Sequence, residues 1–187
     1  MNRNKLKRMV ITAVLLAIGI VLPFLIGQVR ILGKALSPLH IPVLICGLTC
    51  GWSWGAALGI VLPILRGAMF GMPPLFPTGV CMAVELGVYG LLTGLLYPVL
   101  RKGVRSAKLG QLPALLAAML IAMVAGRLAG GAMQAVVLGL SGKGYTFEAF
   151  VASYFVGTSI GAVLHLIIVP AVVISLERAG LSPLTES

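Results

Sequence analysis

From Met9 to Gly27 the chain runs without one charged side chain, and five further predominantly apolar runs follow at roughly 39–52, 55–72, 77–98, 111–139 and 148–176. A helix needs about 20 residues, at 1.5 Å each, to cross the ~30 Å of hydrocarbon in a bilayer. With only short polar connections between such runs, no stretch remains in which a water-soluble domain could form. Composition agrees: 59% of the 187 residues are hydrophobic and 10% are charged, where a soluble domain carries about a quarter charged residues. The sequence predicts an all-α membrane protein, a compact bundle of six transmembrane helices that occupies 1–187 as a single domain.

Charge fixes the expected topology. Fourteen Lys and Arg stand against four Glu, with no Asp. The excess does not form a nucleic-acid surface, because it is clustered beside the apolar runs. Arg3, Lys5, Lys7 and Arg8 precede the first run, and Arg101, Lys102, Arg105 and Lys108 separate two later ones. Basic clusters of this kind anchor the cytoplasmic side. With six spans, those eight and Arg178 lie inside, against Arg30, Lys34 and Lys143 outside. Reading 39–72 instead as one span from His40 to Leu62 followed by a loop would move the 101–108 cluster outside and erase the bias. The expected turn inside 39–72 is Trp52-Ser53-Trp54, since paired Trp residues suit a membrane interface. Both termini are then cytoplasmic, and a multi-pass protein of the cell (plasma) membrane is expected. No small-x-small cleavage site follows the first run, so it is read as a span and not a signal peptide. Cys46, Cys50 and Cys81 fall within apolar runs and read as packing residues.

The second and third spans are short, about 20–27 Å at helical rise, and need cover from longer neighbours or local thinning of the bilayer. The fifth is long, with Gly130-Gly131 as a candidate bend. Small residues recur every four positions at Gly47, Gly51, Gly55 and Gly59, and again at Ala114, Ala118, Ala122, Gly126 and Gly130. Gly157 with Gly161, and Ala13 with Ala17, repeat the spacing. Close backbone approach through small side chains is what holds helices together in lipid.

Four titratable side chains lie well inside apolar runs: Arg66, Glu85, Arg127 and His165. A charge near the bilayer centre costs about 2.5–3.5 kcal/mol on insertion scales, so such groups pair, line a cavity, or both. Arg66, Glu85 and Arg127 fall in the outer half to middle of their spans, and His165 lies deeper. Helical spacing puts Thr78, Cys81, Glu85 and Tyr89 on one face. Arg127, Gly130, Gly131 and Gln134 share another, and Tyr154, Thr158, Gly161 and His165 a third. These stripes are expected to enclose a pocket opening outward. Two arginines against one glutamate leave a positive charge uncancelled, which suits an anionic ligand such as a carboxylate. The plainer alternative is a structural Glu85–Arg pair that fixes helix register, with the other arginine snorkelling to headgroups. The candidate substrate residues are Arg127, Glu85, Arg66, Tyr89, Gln134, Tyr154, His40 and His165. The connections Gln28 to Pro38 and Gly71 to Thr78 are candidate lids.

Enzyme chemistry finds no support. Gly139-Leu140-Ser141-Gly142 with His165 is similar to the serine–histidine pair of rhomboid intramembrane proteases. Ser141 falls in an outer loop, however, with His165 about 25 Å deeper at helical rise, beyond hydrogen-bond reach. Gly142-Lys143-Gly144 lacks the remainder of a phosphate loop, and no metal-spaced ligand set appears. No cofactor or metal is expected in this chain, and any ATP must be used by partners.

Two segments carry a family resemblance, SPLHIPVLICGLTCGWSWG and LRGAMFGMPPLFPTGVCMAVELGVYGLLTGLLY. They resemble the membrane-embedded substrate-binding (S) components of energy-coupling factor (ECF) vitamin transporters, most of all the members assigned to pantothenate uptake. The likeness covers nearly the whole chain. It implies capture of a small water-soluble vitamin from outside, with the first and third connections closing over it. It further implies docking on a transmembrane scaffold subunit with two cytoplasmic ATPase subunits, and toppling in the membrane to release the vitamin. Ala13-x-x-x-Ala17 matches the small-residue docking motif of the family. Ligand contacts differ between vitamins, so no substrate residue carries over by motif. The competing function is a stand-alone secondary carrier or channel for a small anion. Carriers often show inverted repeats, and none is evident between 1–98 and 99–187.

Overall fold

The computed structural model describes residues 3–26, 37–104, 111–142 and 144–184. Arg30, Lys34, Arg105, Lys108 and Lys143 lie outside the described residues, as do residues 28–36 of the first candidate lid. The regular elements among the described residues are helical: α1 (Arg3–Ile26), α2 (His40–Cys50), α3 (Trp52–Phe70), α4 (Val80–Val104), α5 (Leu112–Leu140), α6 (Phe147–Val151) and α7 (Ser159–Arg178). Single π-helical turns occupy Leu75–Gly79 and Ala152–Val156. Five stretches are long and apolar enough to cross a membrane: Arg3–Leu25, Trp52–Phe70, Leu75–Gly103, Leu112–Leu140 and Phe147–Arg178. The remaining apolar helix, α2, is short.

Its eleven residues rise only about 16 Å, and ten of them are buried. Helices α1, α3, α4 and α7 surround it. A helix too short to meet both interfaces is thus screened from lipid by longer neighbours.

The α2–α3 turn is one residue, Gly51, at φ 98° and ψ 172°. Only glycine adopts that backbone without a Cβ penalty, and its N–H closes α2 by donating to the Gly47 carbonyl at 3.1 Å. This corrects the sequence expectation. Trp52-Ser53-Trp54 forms the first turn of α3, and the Gly before it makes the reversal.

Glycine also sets the distance between α2, α3 and α4. A Cβ on Gly55 would stand 2.6 Å from the Gly90 carbonyl oxygen and 2.6 Å from the Gly47 Cα. These helices cross backbone on backbone, the contact that small residues permit in lipid. On α5, Ala114, Ala118, Ala122, Gly126 and Gly130 are all buried. The helix runs unbroken through Gly130-Gly131. The interruption falls in the last apolar run, where Gly157 and Thr158 separate the π turn from α7, and the Thr158 hydroxyl donates to the Tyr154 carbonyl at 2.7 Å.

The outside of the bundle is apolar. Val14, Ile18 and Val21 on α1, Leu120, Ile121, Val124 and Leu128 on α5, and Ile160, Val163 and Ile167 on α7 are exposed. Such a surface matches hydrocarbon, as expected of a multi-pass membrane protein. Both chain ends gather at one end of the bundle. The Leu184 N–H donates to the Thr49 carbonyl at 3.0 Å, and an Arg8 nitrogen lies 4.0 Å from where a Gly51 Cβ would be. At the ends of α4 and α7, Glu177 accepts from Tyr97 at 2.8 Å and pairs with Arg101 at 3.6 Å.

Candidate functional site

Some of the polar residues predicted from helical faces, Glu85, Tyr89, Tyr154 and His165, come together with His40 in the other half of the bundle. Glu85, on α4, is 7% exposed. Tyr89, one turn later, donates its hydroxyl to Glu85 Oε1 at 3.0 Å. The same oxygen lies 3.5 Å from Nε2 of His40, the first residue of α2. The His40 ring stacks on His165 of α7 at 5.5 Å between centroids and meets Tyr89 edge-on at 5.2 Å. Three helices far apart in sequence thus converge because the short α2 begins at the depth of Glu85.

The hydrogen-bonding pattern fixes a proton. His40 Nδ1 lies 3.0 Å from the Ser37 carbonyl oxygen, an acceptor only, so Nδ1 donates there. Nε2 then faces the Glu85 carboxyl, and the contact is attractive only with a proton between them, carried by the ring or by the acid. Either arrangement makes the pair neutral overall, so Glu85 needs no arginine to balance it.

Arg127 is therefore left over. Its guanidinium packs over the Phe155 ring at 5.5 Å. Among the described residues, the ion pairs join Glu85 to His40 and Glu177 to Arg101, and Arg127 has no acid partner. The α5 glycines let these groups meet. A Cβ on Gly130 would stand 2.9 Å from Glu85 Cβ and 3.1 Å from Tyr154 Cε1, and one on Gly126 would enter the Tyr89 ring. Tyr154 thereby borders Glu85 across Gly130.

The other predicted residues are placed as follows. Gln134 is half-buried on α5, two turns beyond Arg127. Arg66 lies over the Phe24 ring of α1 at 5.3 Å, makes no ion pair with Glu85, and among the described residues its enclosed Nε has no hydrogen-bond partner. The Glu85–arginine pair weighed from sequence is thus replaced by Glu85–His40. Thr78 is exposed in the π turn before α4. Ser141 closes α5 with its hydroxyl donated to the Val137 carbonyl at 2.9 Å, while His165 is stacked on His40.

Sequence reasoning missed an aromatic wall. Phe150 lies 5.5 Å from Tyr154 and 5.6 Å from Phe155, and its ring fills the space beside Gly131. The signal was there in FEAFVASYF, four aromatics in nine residues of a chain that is 6% aromatic.

Away from this cluster, an apolar groove of about 310 Å³ is lined by Ala17, Ile18, Val21, Leu22 and Leu25 of α1. Ala13 and Ala17 are both exposed.

Across residues 7–178 the sequence matches the family described as ECF transporter, substrate-specific component. The chain belongs to the ECF substrate-specific component family. Neither a curated protein nor a solved structure matches it. Membership makes this chain a transport subunit by family and implies association with ECF scaffold and ATPase modules. In an S component, a buried polar cluster holding an uncompensated cation is a substrate-site candidate with a physical rationale.

Proposed function

We propose that this S component captures a small carboxylate-bearing vitamin, with pantothenate the best candidate, and delivers it through a scaffold subunit and two cytoplasmic ATPases. One observation carries the reading: among the described residues Arg127 has no acid partner, while Glu85 is already paired with His40. The ligand carboxylate binds Arg127, with Arg66 as the second candidate clamp. Its hydroxyl and amide groups address Glu85, Tyr89 and Gln134, with Tyr154, His40 and His165 completing the wall. Preorganised charge-assisted hydrogen bonds of this kind supply affinity and orientation together.

The chain acts as one six-span domain over 1–187, with both termini cytoplasmic in the plasma membrane. The gathering of both ends near Arg8 and Arg101 supports that orientation under the positive-inside rule. The exposed Ala13 and Ala17 dock on the scaffold, and the chain itself carries no cofactor. ATP is used by its partners.

A thermal-shift screen of the purified protein against pantothenate, thiamine, riboflavin, biotin, folate and nicotinate tests the ligand. Stabilisation by pantothenate alone is expected, because only the state that binds gains free energy from ligand. No shift with any of them would contradict the reading. Transport in liposomes without ATPase partners would favour the stand-alone carrier.

A further inference from the structure

We infer that Phe155 is a positioning residue for the substrate: its ring carries the Arg127 guanidinium and leaves the N–H donors of that cation for a carboxylate. The inference rests on the site proposed above and extends it to the aromatic wall beside it.

One irregular turn builds that wall. In a regular α-helix, side chains five residues apart point about 140° apart. Phe150 and Phe155 nevertheless meet edge to face, with 5.6 Å between ring centroids. Between them runs the π turn Ala152–Val156, closed where the Gly157 N–H donates to the Ala152 carbonyl at 2.9 Å. Such wider turns are rare and frequent at functional sites. The ring pair then rests on α5 at two points. Phe150 fills the space beside Gly131, where a Cβ would enter its ring. Phe155 lies under the guanidinium of Arg127, 5.5 Å from ring centroid to Cζ. Arg127 and Gly131 are four residues apart, on one face of the helix. A glycine notch thus anchors one ring, and the other ring meets the cation one turn earlier.

The kind of contact decides what Arg127 can still do. A guanidinium has five N–H donors and no acceptor. A carboxylate partner would balance its charge by taking two of them in a bidentate pair. An aromatic face attracts the cation through the ring quadrupole and takes none. Among the described residues Arg127 makes no ion pair, and none of its nitrogens is both enclosed and unpartnered. Its donors therefore stay open to a ligand. Holding the side chain before the ligand arrives reduces the ordering cost of binding. The substrate favoured by this arrangement is a planar anion that takes two donors, and its neutral alcohol analogue gains little from it.

Phe155→Leu keeps an apolar side chain and removes the aromatic face. Two probes separate positioning from packing: pantothenate, and pantothenol, in which a primary alcohol replaces the carboxylate. In the full-length variant, pantothenate is expected to bind about three- to tenfold more weakly, with pantothenol affinity within about twofold of wild type. Phe155→Tyr retains the face and should restore pantothenate binding to within about twofold. If another carboxylate vitamin of the panel binds instead, that acid and its primary amide are the probes. Unchanged pantothenate affinity in Phe155→Leu, with binding lost in Arg127→Ala, would overturn this inference and leave the Arg127 site standing. Equal losses for acid and alcohol, or failure of Phe155→Leu to fold, would assign the ring to packing and overturn it too. So would a Phe155→Tyr protein that binds as weakly as Phe155→Leu. Wild-type protein that binds no carboxylate vitamin would overturn both readings together.

Discussion

Tyr89 donates a 3.0 Å hydrogen bond to Oε1 of Glu85, the acid one turn before it on α4. Both side chains are buried, Tyr89 completely, so neither group can turn to water if the other is removed. Tyr89→Phe is expected to cost about 1–3 kcal/mol of stability, because the carboxyl keeps its burial and loses a donor. It should also weaken ligand binding, since the same hydroxyl orients the Glu85 carboxyl of the proposed site. Thermal unfolding in detergent, with and without vitamin, measures both effects. A variant that melts and binds like wild type would place the Tyr89–Glu85 contact outside the site.

The basic end gives a contrasting case. Tyr97 is buried and donates to Glu177 at 2.8 Å, whereas the Arg101 side chain is 37% exposed and 3.6 Å from the same carboxyl. Tyr97→Phe should therefore destabilise more than Arg101→Ala, whose ion pair is screened by solvent. Vitamin affinity should be unchanged in both. Equal melting temperatures, or an effect on binding, would contradict the assignment.

Glycine spacing makes a prediction about the scaffold. A Cβ on Gly59 would run into the Leu86 carbonyl and stand 2.7 Å from the Gly87 nitrogen, while one on Gly139 would meet open space. Gly59→Ala must push α3 from α4 and should cost roughly 1–3 kcal/mol. Gly139→Ala should be neutral or gain up to about 1 kcal/mol from helix propensity. Paired melting curves settle it, and equal behaviour of the two variants would deny that α3 and α4 touch through backbone.

Docking is separable from binding. Ala13→Trp with Ala17→Trp fills an exposed stripe of α1 beside the 310 Å³ groove. Uptake with the partner subunits should be abolished, while vitamin affinity of the isolated S component stays within about twofold. Retained uptake would move the docking surface elsewhere.

Much of this arrangement was legible in the sequence. Five of the six apolar runs gave one main helix each and the sixth is divided between α6, a π turn and α7, with ends mostly within a few residues, because span length is dictated by hydrocarbon thickness. The α2–α3 turn was read two residues late, since the Trp pair suggested an interface while the backbone requirement belonged to Gly51. The break at Gly157-Thr158 carries no proline to announce it. Polar faces on α4, α5 and α7 could be read from periodicity, but partners could not. Glu85 looked bound for an arginine, and its geometric partner is His40, 45 residues earlier, because α2 is short enough to begin at that depth. Arg66 has the right depth but turns to Phe24, which only the packing of α1 against α3 decides.

The most direct measurement is pantothenate titration of purified Arg127→Ala beside Arg66→Ala and wild type. Arg127→Ala should bind at least tenfold more weakly, as expected when a charge-assisted hydrogen bond to the ligand is lost. The Arg66→Ala protein should lose less. Wild-type affinity in both variants would remove the anion clamp and contradict the account.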